Sequence, residues 1–291
     1  MAYKAQVLAD SVSPDGVRLT TLEVTFPRFI LAEFNTHRMF SRNSASSRAI
    51  PTEILIERVR TNPFIPETFN KRIKGMGVGE TLEDKLHRRA EDEWRQAAID
   101  AAYSAEKLME IGIDKSRANR LLEPFLWHTV IVSATEWDNF FALRANPAAQ
   151  PEMEIIARLM RSTMEMSFPR LVDYGEWHTP LAEAREGLDA HETTYNSAFV
   201  NWEIVKLLSA SRCARVSYDR QHDDEAQEAT IARANRLIDS FHLSPFEHVA
   251  KPMDQATVMP EIKFSGNFRG WVQMRKQIPN ESNFGAVKAE V

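Results

Sequence analysis

The sequence holds a single cysteine, Cys213, among 291 residues. An intrachain disulfide is therefore impossible, and a metal cage of thiolates is excluded. Glycine is scarce as well, at 10 residues, and neither GxGxxG nor GxxxxGK occurs, so a Rossmann or P-loop nucleotide site finds no support. The histidines show neither an HExxH motif nor paired spacing, and no metal site is expected. Long apolar runs are missing too. The longest, around Trp127 to Ala134, is broken by His128 and Thr129 and is far too short to cross a bilayer. The start, MAYKAQVLAD, lacks a secretory apolar stretch, which predicts a cytoplasmic protein with no membrane partner. Positive charge is not in excess either. A net charge of −5 and a pI near 6.0 argue against a general nucleic-acid binder, while local basic clusters can still hold a small anion.

What the chain does have is alternating strand and helix patterning. AQVLADSV and VRLTTLEVTF, separated by the turn signal SPDG, predict a hairpin. The alternation in RLTTLEVTF predicts one buried face, closed by Pro27. RFILAEFNTHRMF has helical spacing, so a short helix is expected to run out into a loop. Thr81 to Ile111 predicts a long amphipathic helix with Gly112 at its C-terminal end. A second helix is expected over DKSRANRLLEP, with Asp114 as N-cap and Pro124 as its stop. WHTVIVSAT is strand-prone, and EWDNFFALR and EMEIIARLMRSTMEMSF read as helices. In the last of these Ile155, Ile156, Leu159, Met160, Met164 and Met166 are expected in the core. DDEAQEATIARANRLIDSF predicts a further helix with acidic residues in its first turn. Residues 170–200 give no clear pattern. With no linker and no break in composition, the chain reads as one α+β domain over residues 1–291, a β-sheet with long helices packed around it.

One stretch stands apart. FNTHRMFSRNSASSRAIP, Phe34 to Pro51, gathers one histidine, three arginines, two asparagines and four serines in eighteen residues. A solvated loop has this composition, and so does a pocket around a phosphate. His37 and Arg38 are followed by seven residues, then Ser46, with Arg48 two further on. This resembles the signature of the flavin-dependent thymidylate synthases: Arg-His-Arg, seven residues, Ser, and usually Gly-Arg-Tyr. Ser41 and Asn43 also match, whereas Thr36, Ser44 and Ala49 stand where the family has Arg, Glu and Tyr. FFALRANPAAQPEMEI resembles the family's second signature, and SRANRLLEP the block upstream of it. SRCARVSYDR and HLSPFEHVA resemble two blocks that open the family's chain, yet here they come after everything else. A rearranged chain can rebuild the same contacts when its ends lie close together. FRGWVQMRKQIPNES can itself be laid over the signature, with Arg275, Asn280 and Glu281 matching and Met274 replacing His, as in a decayed second copy.

The resemblance implies reductive methylation of dUMP to dTMP, with FAD, NADPH and methylenetetrahydrofolate, in a homotetramer. Arg38, Arg48 and Arg120, helped by the Ser46 hydroxyl, would hold the nucleotide, because planar guanidiniums suit phosphate oxygens. Reaction at C5 of uracil moves electrons toward O4, and Arg144 would stabilise that charge. Arg144, His37 and Ser46 are thus the catalytic candidates. The flavin contacts implied are His37 and Asn139 on the isoalloxazine side, and Ser217, His242, Ser244 and Glu247 toward the ribityl and adenine. Ser133 and Thr135 stand where the family has Asn and Arg. Cys213 reads as a buried small side chain, not as the thiolate nucleophile of the other class of thymidylate synthases. Two other readings stay open. Glu33, where the family commonly has Gln, suits a pyrimidine C5-hydroxymethylase or a dCMP-directed enzyme. The missing flavin contacts suit a non-catalytic nucleotide-binding homologue.

Overall fold

The computed structural model describes residues 2–75, 77–188, 200–254 and 265–283. The expected hairpin forms β1 (Lys4–Val12) and β2 (Arg18–Pro27), with Gly16 at φ 78° turning the chain between them. Only glycine takes that conformation without steric cost. β2 is the centre of a sheet ordered β3-β4-β2-β1-β5, with β3 (Ser41–Ser44), β4 (Trp127–Ala134) and β5 (Arg170–Leu171). All pairings are antiparallel except β1 with β5.

The pattern of β2 implied one buried face; the strand is buried on both. Leu22, Val24 and Phe26 join Val130 and Val132 of β4 under the helices α5 (Asp138–Arg144) and α6 (Pro151–Glu165). Thr21, Glu23 and Thr25 point the other way and are 0–6% exposed. The C-terminal part of the chain covers that polar face: His178, Gln221, His222 and His248 bond to it, and Cys213 of α7 (Trp202–Ala214) packs with Val216 on Ile131, with α8 (Gln227–Asp239) against α7 and β6 (Ala250–Pro252) paired to β7 (Trp271–Gln273). Buried hydroxyls and carboxylates there require hydrogen-bond partners, and they have them.

Several expectations shift. After Pro27 the helix is only a 3-10 turn (Arg28–Ile30) and the four-residue α1 (Leu31–Phe34), and the expected loop becomes the edge strand β3. α2 (Thr52–Thr61) precedes the long α3 (Asp84–Glu110), which starts three residues later than the pattern suggested because Thr81 bridges back to Asn70. α3 lays Ala98, Ala102 and Ala105 against Leu55, Ile56 and Val59 of α2. The expected second helix is α4 (Lys115–Ala118), capped by Asp114, followed by a 3-10 turn over Asn119–Phe125 that contains Pro124 rather than stopping before it. Met166 lies past the end of α6 and is 73% exposed, although Ile156, Met160 and Met164 are core. α8 begins at Gln227, so of the acidic residues expected in its first turn Glu228 lies there, whereas Glu225 precedes the helix and pairs with Arg233. The proposed second signature copy has a different local structure: β7 precedes Met274, whereas β3 follows His37.

Candidate functional site

β3 places the signature on the outer edge of the sheet, and three distant parts of the chain close around it. Asn43 Nδ2 donates to Ser244 Oγ at 3.0 Å, His248 Nε2 meets Asn43 Oδ1 at 3.0 Å, and Ser46 N donates to the Ser217 carbonyl at 3.0 Å. Ser41 Oγ accepts from Gln273 Nε2 at 2.9 Å and donates to Asn267 Oδ1 at 3.0 Å. The two blocks that come last in the chain are thus brought to the signature strand.

Beyond β3 the chain turns under Ser46, whose carbonyl accepts from the amides of Ala49 and Ile50, while Arg48 N donates to Ser46 Oγ at 3.2 Å. Asn119 fixes this loop from below, with Nδ2 on the carbonyls of Ser47 and Ile50 at 2.6 and 3.0 Å. Arg38 and Arg48 are exposed and form no ion pair among the described residues. They are the signature's uncommitted cations. Arg120 is not: it pairs with Glu123 at 2.7 Å, and the same carboxylate accepts from Ser47 Oγ at 2.7 Å and pairs with Arg28 at 2.9 Å. Arg28, which the sequence did not single out, also donates to His128 Nδ1 at 2.8 Å. Burial and Arg28 push the His128 imidazole down to about 3, so it is neutral with its proton on Nε2, a buried atom without a partner among the described residues. Arg28, Ser46, Ser47 and His128 line a cavity of about 10 Å³, room for one water.

At the other end of β3, Arg144 Nε donates to His37 Nε2 at 2.9 Å and Nη2 reaches Thr36 Oγ1 at 3.4 Å. His37 therefore accepts at Nε2 and carries its proton on Nδ1. Burial first, then Arg144 and Arg42, lower its pKa, so it stays a neutral imidazole. Its ring lies edge-on to Phe140 with centroids 4.8 Å apart. The half-buried Arg144 ends α5, and its guanidinium is held by His37, with no carboxylate paired to it among the described residues.

The flavin candidates divide into patches. Ser217 and Ser244 touch the signature strand, and His37 holds Arg144. Asn139 is exposed on α5, His242 Nδ1 bonds Ser240 Oγ at 2.9 Å, and Glu247 closes on Arg275, which Glu281 also holds. A flavin dinucleotide needs donors along its pyrimidine edge and at its ribityl chain. The donors available near the signature are the His37 Nδ1–H and the hydroxyls of Ser217 and Ser244, while Glu247 is already paired with Arg275. Cys213 is fully buried and burial raises its thiol pKa, as a structural side chain requires. Among the described residues no cluster of metal-ligating side chains occurs, and no helix is long and apolar enough to cross a membrane.

The site is thus an edge strand, rich in serine and arginine, of a mixed sheet, clamped by distant blocks of the chain. The family model of the thymidylate synthase complementing proteins matches residues 17–170, and the chain belongs to that family. No curated protein matches the sequence. Among solved structures, the UMP/dUMP methylase PolB from Streptomyces cacaoi bound with 5-Br UMP is similar at 15% identity and a TM-score of 0.47, covering 56% of this chain and 88% of its own. The same methylase bound with 5-Br dUMP matches at 16% identity and a TM-score of 0.46, over 56% of this chain and 90% of its own.

Proposed function

We propose that this protein methylates C5 of dUMP, with FAD reduced by NADPH and methylenetetrahydrofolate as the one-carbon donor. The observation that carries the reading is the assembly of the signature: within the family match, Arg48 and Ser46 share a serine-rich turn, Arg38 is exposed next to His37, and Arg144, with no carboxylate partner among the described residues, donates to a neutral histidine. Free guanidiniums beside a hydroxyl suit a dianionic phosphate. A fixed cation with no competing carboxylate suits the charge that develops on O4 of uracil. His37 holds the Arg144 guanidinium in place and, being neutral, neither repels it nor donates from Nε2. Arg120 and Arg28 share Glu123, so they order the floor of the turn, and Arg120 reaches a phosphate only by leaving that pair. When bound, the flavin supplies hydride transfer; His37 and Asn139 would meet one side of it and Ser217 and Ser244 the other, with His242 and Glu247 further out. In the homotetramer that the family resemblance implies, residues of neighbouring copies would complete each site.

The test is an absorbance spectrum from about 300 to 550 nm of protein mixed with FAD and desalted, with and without dUMP. Retained flavin bands that shift on adding dUMP are the expected result. Protein that stays colourless with dUMP present would contradict the flavin part of the reading and favour a nucleotide-binding homologue.

A further inference from the structure

The polar face of the sheet carries a continuous line of hydrogen bonds from β1 to beyond β3. Ser11 Oγ meets His178 Nδ1 at 2.8 Å, and His178 Nε2 meets Thr21 Oγ1 at 2.8 Å. Thr21 Oγ1 lies 2.5 Å from Ser133 Oγ, which lies 2.8 Å from His248 Nδ1. His248 Nε2 then reaches Asn43 Oδ1, whose amide nitrogen donates to Ser244. Register makes this possible: Thr21 is opposite Ser133, and Ser133 is opposite Ser41, two residues before Asn43.

Every proton in this line is determined. Both imidazoles are fully buried, and burial pushes each down to about 3, so each is neutral with one N–H. Asn43 Oδ1 can only accept, so His248 donates from Nε2 and accepts at Nδ1. Ser133 therefore donates to His248 and accepts from Thr21. Thr21, its one proton used, accepts from His178 Nε2–H, and Ser11 donates to His178 Nδ1. The ends enforce the same direction. Ser11 is 3% exposed and His178 is its hydroxyl's partner, so reversal would strand a buried O–H without an acceptor. Ser244 is exposed, and water can take its proton.

We infer that this line is a positioning device for the signature strand: it locks His178 and His248 as Nε2–H tautomers and holds the Asn43 amide with its N–H edge outward beside Ser244, so that the edge of β3 presents donors selecting a carbonyl-bearing, uracil-type base over an amino-bearing, cytosine-type one. The base preference rests on the nucleotide reading above; the tautomers do not. Thr21, Ser133, His178 and His248 act through Asn43 and touch no substrate.

The experiment is nitrogen NMR of the histidine rings in the full chain, with dUMP and dCMP titrated calorimetrically. In the native chain both histidines are expected as pure Nε2–H tautomers. Ser133→Ala strands one hydroxyl proton whichever way His178 is oriented, so His178 becomes a tautomer mixture while His248, still held by Asn43, does not change. Thr21→Ser keeps every hydroxyl and leaves both rings as they are. Asn43→Asp keeps the acceptor for His248 but removes the outward donors, and the dUMP-to-dCMP affinity ratio is expected to fall at least tenfold. A native Nδ1–H or cationic ring at either histidine, or a pure His178 tautomer in Ser133→Ala, would overturn the line. A chain that binds dUMP and keeps its preference in Asn43→Asp overturns the base selection alone; a native chain that binds neither nucleotide removes the base selection together with the reading beneath it.

Discussion

Arg144 and His37 form the most consequential contact in the site, because it decides which of the two carries charge. The imidazole accepts from the guanidinium, so a cation remains exposed to a ligand where a carboxylate partner would have cancelled it. Replacing Arg144 with Ala should lower thymidylate formation by about 10²-fold or more while the thermal midpoint stays put. Unchanged turnover would remove Arg144 from the mechanism. Arg48 makes a sharper test of phosphate recognition, since it has no ion pair to lose. Arg48→Lys keeps the charge but not the planar fork, and dUMP affinity measured by calorimetry is expected to fall about tenfold. An affinity equal to the native one would show that charge alone suffices. His37, Arg38, Ser46, Arg48 and Arg144 could be named as candidates from the sequence because they sit in contiguous motifs. Arg28 and His128 were not, since a lone arginine after a strand and a lone histidine within one carry no pattern. Arg120 could be named, yet its pairing with Glu123 shows only once the turn closes.

Among the elements, β3 was the least readable. Its four residues, Ser41 to Ser44, have weak strand propensity and take extended form because β4 offers a free edge on one side and Ser244, His248 and Gln273 supply partners from beyond it. Tertiary context overrode local preference there, as it did in shortening the helix before it. β2 shows the same logic in reverse. Its Thr-Leu-Glu-Val-Thr alternation was plain, but the polar half looked like a solvent face until the C-terminal part of the chain covered it. The long α3 was legible from its composition because it depends on periodicity alone. The signature turn is held from below by Asn119, fully buried with both amide hydrogens committed to its carbonyls. Asn119→Ala should cost about 1–3 kcal/mol in urea denaturation and weaken dUMP binding as the turn loosens. Loss of stability with native affinity would show that the turn is ordered without it.

At the scale of the whole molecule, the buried histidines set the response to acid. His128, His178 and His248 are each pushed from 6.5 down to about 3 by burial. The unfolded chain therefore binds more protons than the folded one between pH 6.5 and pH 3, and stability falls as pH drops through that window. Each histidine contributes a slope of up to about 1.4 kcal/mol per pH unit. Asp10 and Glu23, whose pKa values are lowered, add their own loss only below the ordinary carboxylate range, while Glu152, raised by burial, takes its proton earlier in the fold and offsets part of the fall, so from pH 6.5 to 5.5 the three imidazoles outweigh one opposing carboxyl. Urea midpoints should fall steadily from pH 7 to pH 5.5; a flat profile would mean that these rings are not neutral in the fold. The order of the motifs along the chain also becomes intelligible at this scale. Blocks from residues 211–220 and 243–250 sit against the signature at residues 34–51, so the site is assembled by folding and not by sequence proximity. The central claim is chemical, and tritium release from dUMP labelled at C5 tests it most directly, in the presence of FAD, NADPH and methylenetetrahydrofolate. The account predicts release that requires all three and is lost in Arg144→Ala; no release from a folded, dUMP-binding chain would contradict it.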